Sequence, residues 1–238
     1  MRPAAWPAQS LADASRSRSN PLIPAPTVNR FPRGLYALTP DLADTEALTR
    51  LVAAALRGGV VAVQYRNKAA PERLRREQAG ALLGLCRRAA VPLIVNDDLA
   101  LAVAIEADGV HLGREDGDLR EARRRLGPDR LLGASCYNRL DLAHTAVETG
   151  ADYVAFGSAF ASPTKPGAVR APLELYRGAR RALAVPIVAI GGITVENAAE
   201  LIAAGVDAIA VITALFGADD VERRAREFRD LFTGIEAS

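Results

Sequence analysis

The side chains in this sequence that could do chemistry fall in a few short stretches, and most are of the kinds that bind anions. Gln64-Tyr65-Arg66-Asn67-Lys68 sets two cations two residues apart. Asn96-Asp97-Asp98 and Gly113-Arg114-Glu115-Asp116 supply carboxylates, and Ser135 follows Gly133-Ala134. Ser162, Thr164 and Lys165 lie between Pro163, Pro166 and Gly167, a stiff loop with two hydroxyls and a cation side by side. Hydroxyls, backbone N–H groups and a Lys are what a phosphoryl oxygen asks for. Gly191-Gly192 leads into a helical segment with Asn197 in its first turn, and Ile212-Thr213 stands similarly after a later apolar run. Glycines let the backbone approach an anion, and the N–H groups at a helix start can bind it. Magnesium is usually held by one or two carboxylates plus substrate phosphates, which suits Asp97 and Asp116 facing Arg66, Lys68 and Lys165. The same charges could instead neutralise one another as rim ion pairs, and the Pro-rich loop could be a plain connection. What separates these readings is whether the stretches converge in space.

The elements around them imply that they do. Strand-like runs occupy residues 35–39, 60–65, 93–96, 110–112, 131–135, 153–157, 187–190 and 208–212. Between them lie segments with helical spacing, such as Leu48, Leu51, Val52 and Ala55, or Leu82, Leu83, Leu85 and Cys86. Most of these segments end near a Gly or Pro. Eight strand–helix units over roughly 200 residues predict a single (β/α)8 TIM barrel over 31–238, an α/β fold acting as one catalytic domain. A doubly wound open sheet is the alternative, but no Gly-x-Gly-x-x-Gly follows the first strand. A barrel carries its chemistry at the C-terminal ends of its strands, and the stretches above follow strands two to eight. Its mouth then offers two anion sites, one with metal carboxylates and one without. That implies two phosphorylated substrates, or one with phosphates at both ends.

Asp108, Asp152 and Asp207 recur just before strands four, six and eight, on the stability face of a barrel, and are expected to be structural caps. His111 lies within strand four and reads as a packed barrel residue. His144 reads as solvated and Cys136 as structural, since no His partner is in sequence view.

Composition limits the function classes. Of the 30 basic and 28 acidic residues among 238, Arg2, Arg16, Arg18, Arg30 and Asp13 fall in the first thirty, leaving 26 against 27. The rest of the chain therefore has no basic field for nucleic acid, and no run approaches the roughly 20 apolar residues of a membrane span. Cys86 and Cys136 form no metal or redox spacing, and with no secretory apolar segment a reducing cytoplasm is expected. Residues 1–30, rich in Pro, Ala, Ser and Arg, read as a disordered tail, and their prolines interrupt the amphipathic helix of a transit peptide. Homo-oligomerisation is left open.

Taken in order, Gln64-Tyr65-Arg66-Asn67-Lys68, Asn96-Asp97-Asp98, Val110–Asp116, Gly133-Ala134-Ser135, Ser162-Pro163-Thr164-Lys165 and Ile190-Gly191-Gly192-Ile193 resemble the thiamine-phosphate synthase family. The resemblance runs from about Gly34 to Phe232. It implies joining 4-amino-2-methyl-5-(diphosphooxymethyl)pyrimidine to 4-methyl-5-(2-phosphooxyethyl)thiazole with release of diphosphate. It further implies Mg²⁺ on Asp97 and Asp116, diphosphate on Arg66, Lys68, Asn96 and Lys165 with Ser135 beside it, and the aminopyrimidine on Gln64. Ser162 and Thr164, with the backbone at Gly192 and around Ile212 and Thr213, are implied to grip the thiazole phosphate. Asn67 and Arg114 stand where relatives often carry Glu and Gln, and neither is assigned a contact. Three rivals share parts of this pattern. A thiazole tautomerase would need acid–base residues and no diphosphate site, and a sugar-phosphate isomerase would need a proton-abstracting base. A precursor sensor would bind without turnover.

Overall fold

The computed structural model describes residues 31–161 and 169–234. It contains a closed barrel of eight parallel strands in sequence order, each paired with the next and β8 returning to β1. In chain order the elements are β1 (Gly34–Leu38), α1 (Thr45–Gly58), β2 (Ala62–Tyr65), α2 (Glu72–Arg88), β3 (Leu93–Asn96), α3 (Leu99–Ala104), β4 (Gly109–Leu112) and α4 (Leu119–Leu126). They continue with β5 (Leu131–Tyr137), α5 (Leu140–Glu148), β6 (Tyr153–Gly157), α6 (Leu173–Ala182), β7 (Ile187–Ile190), α7 (Val195–Ala203), β8 (Ala208–Val211), α8 (Thr213–Phe216) and α9 (Val221–Thr233). The expected (β/α)8 barrel is therefore present, with one difference. Two helices follow β8, because Gly217 stops α8 after a single turn and the Asp220 carboxylate, accepting from Arg223 N–H, starts α9 afresh.

Alternation along the strands sorts the side chains into two cores. On β1, Leu35 and Ala37 face the helices, where they join Leu48, Val52 and Ala55 of α1. Tyr36 and Leu38 point into the barrel with Ile94, Tyr153, Ala155 and Val188. The chain enters from below through Phe31, which is 2% exposed, packs on Tyr153 at 4.1 Å between ring centroids and meets Tyr36 edge-on at 5.0 Å. Phe31 thus stoppers the N-terminal end of the barrel, so residue 31 belongs to the core.

The three aspartates before the even-numbered strands act as clasps between neighbours. Asp108, Asp152 and Asp207 accept from the backbone N–H of Leu93, Leu132 and Ile187 at 2.8, 2.7 and 2.7 Å. Arg123 of α4 pairs with Asp152, and Arg180 of α6 pairs with Asp207. Where a half-buried carboxylate holds a strand N–H, and at Asp152 and Asp207 a cation as well, losing it leaves those partners without it, so these groups fix strand position at the lower rim.

Candidate active site

The C-terminal rim gathers the residues that follow the strands. Thr39, at the end of β1, both accepts from Arg66 N–H and donates to Arg66 C=O, at 2.8 and 2.9 Å, tying the β1 and β2 exits together. Asp41 then receives the Arg66 guanidinium at 3.0 and 3.1 Å and the Lys68 N–H at 3.3 Å. Lys68 Nζ lies 2.9 Å from Asp97 Oδ2. Both cations are therefore held by carboxylates from neighbouring strand ends. Asn67 points away from the mouth, its amide donating to Leu42 C=O and to Gln78 Oε1 of α2.

Asp97 and Asp116 come together, each carboxyl acting on the other, with Lys68 and Asn96 alongside. Burial alone would raise the Asp97 carboxyl, but Lys68, Asp116 and Asn96 together draw it below the ordinary carboxylate value. Asp116 is pushed up, by burial and then by Asp97 beside it. Two neighbouring acid groups at a strand-end rim, with cations in reach, form an all-oxygen donor set that fits Mg²⁺. Among the described residues no group of three or more His, Cys, Asp or Glu stands together, so an ion here would take further oxygens from phosphate or water. Asp98, the adjacent carboxylate, is used otherwise: it caps α3 through Leu101 N–H and pairs with Arg75.

The second stretch expected to meet an anion lies where the β6 and β7 exits meet. Gly191 and Gly192 have φ of 101° and 64°, a left-handed backbone that favours glycine. A Cβ on Gly192 would come 2.3 Å from Ala161 C=O, so the two loops touch backbone to backbone. Asn197 holds this turn, accepting from Thr194 N–H at 2.8 Å and donating to Gly192 C=O at 3.0 Å. Ile212 and Thr213 lie at the start of α8, with Thr213 exposed. Ser162, Thr164 and Lys165 lie outside the described residues, as do residues 1–30.

Inside the barrel, beneath the rim, the structure joins residues that sequence reading left apart. Gln64 Nε2 donates to Tyr36 Oη at 2.8 Å, and Tyr36 Oη lies 3.0 Å from Tyr153 Oη. His111 Nδ1 is 3.1 Å from Tyr153 Oη, and its Nε2 is 2.9 Å from Ser135 Oγ. His111 is thus a bonded member of a polar chain and not only packing. Tyr36, Tyr153 and Asp41 carried no motif that marked them. Cys136 follows Ser135 but lies in the helix-facing core, its thiol pushed up to about 12 by burial and then by Asp141, which makes it a poor nucleophile.

Burial lowers the His111 imidazole to about 4, although Asp97 pulls the other way. Between pH of about 6.5 and 4 the unfolded chain would bind a proton here that the folded chain does not, so stability falls as pH falls through that window. One such site contributes about 1.4 kcal/mol per pH unit. Urea unfolding at pH 7, 5.5 and 4.5 should therefore show a steeper loss for the parent than for His111→Asn, and equal slopes would contradict this burial.

A family model described as thiamine monophosphate synthase matches residues 35–215. A thiamine-phosphate synthase of Methylobacillus flagellatus is 58% identical over 200 residues, 84% of this chain and 95% of its own. One of Thiobacillus denitrificans is 59% identical over 202 residues, 85% of this chain and 96% of its own. Among solved structures, a thiamine phosphate pyrophosphorylase from Pyrococcus furiosus superposes with a TM-score of 0.76 at 38% identity, covering 85% of this chain and 96% of that one.

Proposed function

Because the chain belongs to the thiamine monophosphate synthase family and is a transferase of thiamine biosynthesis, we propose that it joins 4-amino-2-methyl-5-(diphosphooxymethyl)pyrimidine to 4-methyl-5-(2-phosphooxyethyl)thiazole. The methylene C–O bond to diphosphate breaks, and a bond forms from that carbon to the thiazole nitrogen. The observation that carries this reading is the meeting of Asp97 and Asp116 at the rim, with Lys68 Nζ 2.9 Å from Asp97. A base-dependent isomerase has no use for that arrangement, and a tautomerase could lose it.

Arg66, Lys68, Asn96 and Lys165 would hold the diphosphate, with Ser135 donating to it. Asp97 and Asp116 would hold Mg²⁺, which when bound supplies charge that favours the leaving diphosphate. Gln64 would orient the aminopyrimidine, whose electron-rich ring stabilises the methylene cation left as diphosphate departs. Ser162 and Thr164, with the backbone at Gly192 and around Ile212 and Thr213, would bind the thiazole phosphate. The attacking nitrogen has no proton to lose, so no side chain is needed as a general base. His111, lowered to about 4 by burial, is a weak base, which fits that requirement. Holding both substrates in line can contribute about 7–11 kcal/mol.

A cytoplasmic setting belongs to the same reading. It is supported by two free, buried cysteines and by the absence, among the described residues, of a helix long and apolar enough to cross a membrane. The test is to mix the full chain, and a version beginning at residue 31, with both precursors with and without Mg²⁺, and to follow thiamine phosphate by mass spectrometry. Product from both versions, only with metal, is expected. Tight binding of the thiazole phosphate without product would point instead to a tautomerase or a sensor.

A further inference from the structure

The chain Gln64–Tyr36–Tyr153–His111–Ser135 crosses the barrel interior, from the β2 exit down to the first residue of β6 and up to the β5 exit. Its three central members are 7% exposed or less, so their protons have no solvent to turn to. Each link then dictates the next. Gln64 Nε2–H occupies Tyr36 Oη, so the Tyr36 proton goes to Tyr153. The Tyr153 proton goes to His111 Nδ1, and a neutral imidazole keeps its one proton on Nε2, where Ser135 Oγ accepts it. The Ser135 proton is left for a ligand, and at the far end Gln64 Oε1 is left as an acceptor with the second Nε2–H beside it.

One other proton order satisfies every link, and it is the reverse throughout. Ser135 then donates inward, Gln64 turns its Oε1 towards Tyr36, and the Gln64 amide offers N–H groups to the ligand instead. The two ends are therefore locked in opposite senses. An isolated glutamine has no such preference, because it can turn its amide to suit a donor or an acceptor.

We infer that this chain sets substrate specificity: a diphosphate accepting from Ser135 selects the proton order in which Gln64 presents an acceptor, so a ring bearing an amino donor is taken and its 4-oxo counterpart is refused. The inference rests on the functional reading above, in which Ser135 meets the diphosphate and Gln64 the pyrimidine. Tyr36, Tyr153 and His111 are positioning residues and touch no substrate. One molecule thus reports its diphosphate end to the group that reads its ring.

The test compares kcat/KM for the 4-amino pyrimidine diphosphate and its 4-oxo analogue, with thiazole phosphate and Mg²⁺ present. A site that leaves a buried acceptor facing an acceptor refuses the wrong ligand by at least about a hundredfold, which is the ratio expected of the parent. Tyr153→Phe keeps the ring and cuts the chain at its centre, freeing the Gln64 half to reverse, and the ratio should fall by about tenfold or more. Tyr36→Phe cuts it one link nearer Gln64 and should do the same. Tyr176→Phe removes another buried hydroxyl, one that donates to Phe156 C=O outside the chain, and should leave the ratio unchanged. If both chain variants lose activity on the two substrates alike, with the ratio unaltered, the tyrosines only pack and the inference is overturned. If the parent makes no thiamine phosphate from the amino substrate, the functional reading falls, and the inference falls with it.

Discussion

An Asp97→Asn variant is expected to lose about a thousandfold in turnover while folding like the parent, a change equivalent to about 4 kcal/mol of transition-state stabilisation. Asparagine is the substitution to use because Asp97 has φ of +61°, where Asn is tolerated and most other residues are strained. The backbone N–H of Asp97, which donates to His111 C=O at 2.9 Å, is retained as well. Only the charge goes. With it go the partner of Lys68 and one of two acid groups proposed to hold Mg²⁺. Steady-state rates over a Mg²⁺ titration, with a thermal melt beside them, measure this directly. Turnover within tenfold of the parent, at unchanged metal dependence, would remove Asp97 from the metal site.

Gly133→Ala is expected to damage the fold itself. A Cβ at this position of β5 would lie 2.1 Å from Tyr153 Cζ, 2.3 Å from its Oη and 2.5 Å from His111 Nδ1. Rings packed in a barrel interior cannot move aside without dragging their neighbours, and Phe31 is packed on Tyr153 from below. Overpacking of this kind costs about 3 kcal/mol or more. For a domain of this size that lowers the melting temperature by about 6–12 °C. The displaced Tyr153 and His111 would also release Ser135, so activity should fall together with stability. A melting temperature within about 2 °C of the parent would show that the interior yields more easily than its packing implies.

The barrel was legible in the sequence because buried parallel strands are short apolar runs at regular spacing, and helical spacing lay between them. The rim was legible for a related reason. Residues after a strand end need no knowledge of tilt or register, so Asp97 and Asp116 could be set facing Arg66 and Lys68 from strand order alone. The interior polar chain was not legible. Tyr36, Tyr153 and His111 sit within apolar runs, and their partners are chosen by how strands one, four and six cross the barrel. No sequence interval encodes that crossing. Asp41 escaped notice for a similar reason, since its carboxylate meets Arg66 25 residues away across a strand boundary. The helix pair after β8 depended on Gly217 ending a single turn, too short a segment for periodicity to register.

The clasps made by Asp108, Asp152 and Asp207 divide the barrel unequally. Each joins β3 to β4, β5 to β6 or β7 to β8 at the lower rim, while no such aspartate precedes β2. The ring thereby contains three two-stranded modules, with β1 and β2 outside them and unclasped seams at β8–β1, β1–β2, β2–β3, β4–β5 and β6–β7. Circular permutants opened in the α3, α5 or α7 connections differ accordingly from those opened at the α2, α4 or α6 seams. The former cut the chain between two strands that a clasp joins, whereas the latter leave each clasped pair continuous. A gene rearrangement that respects the modules keeps each carboxylate with the strand it holds, and the clasps then act as natural units of shuffling.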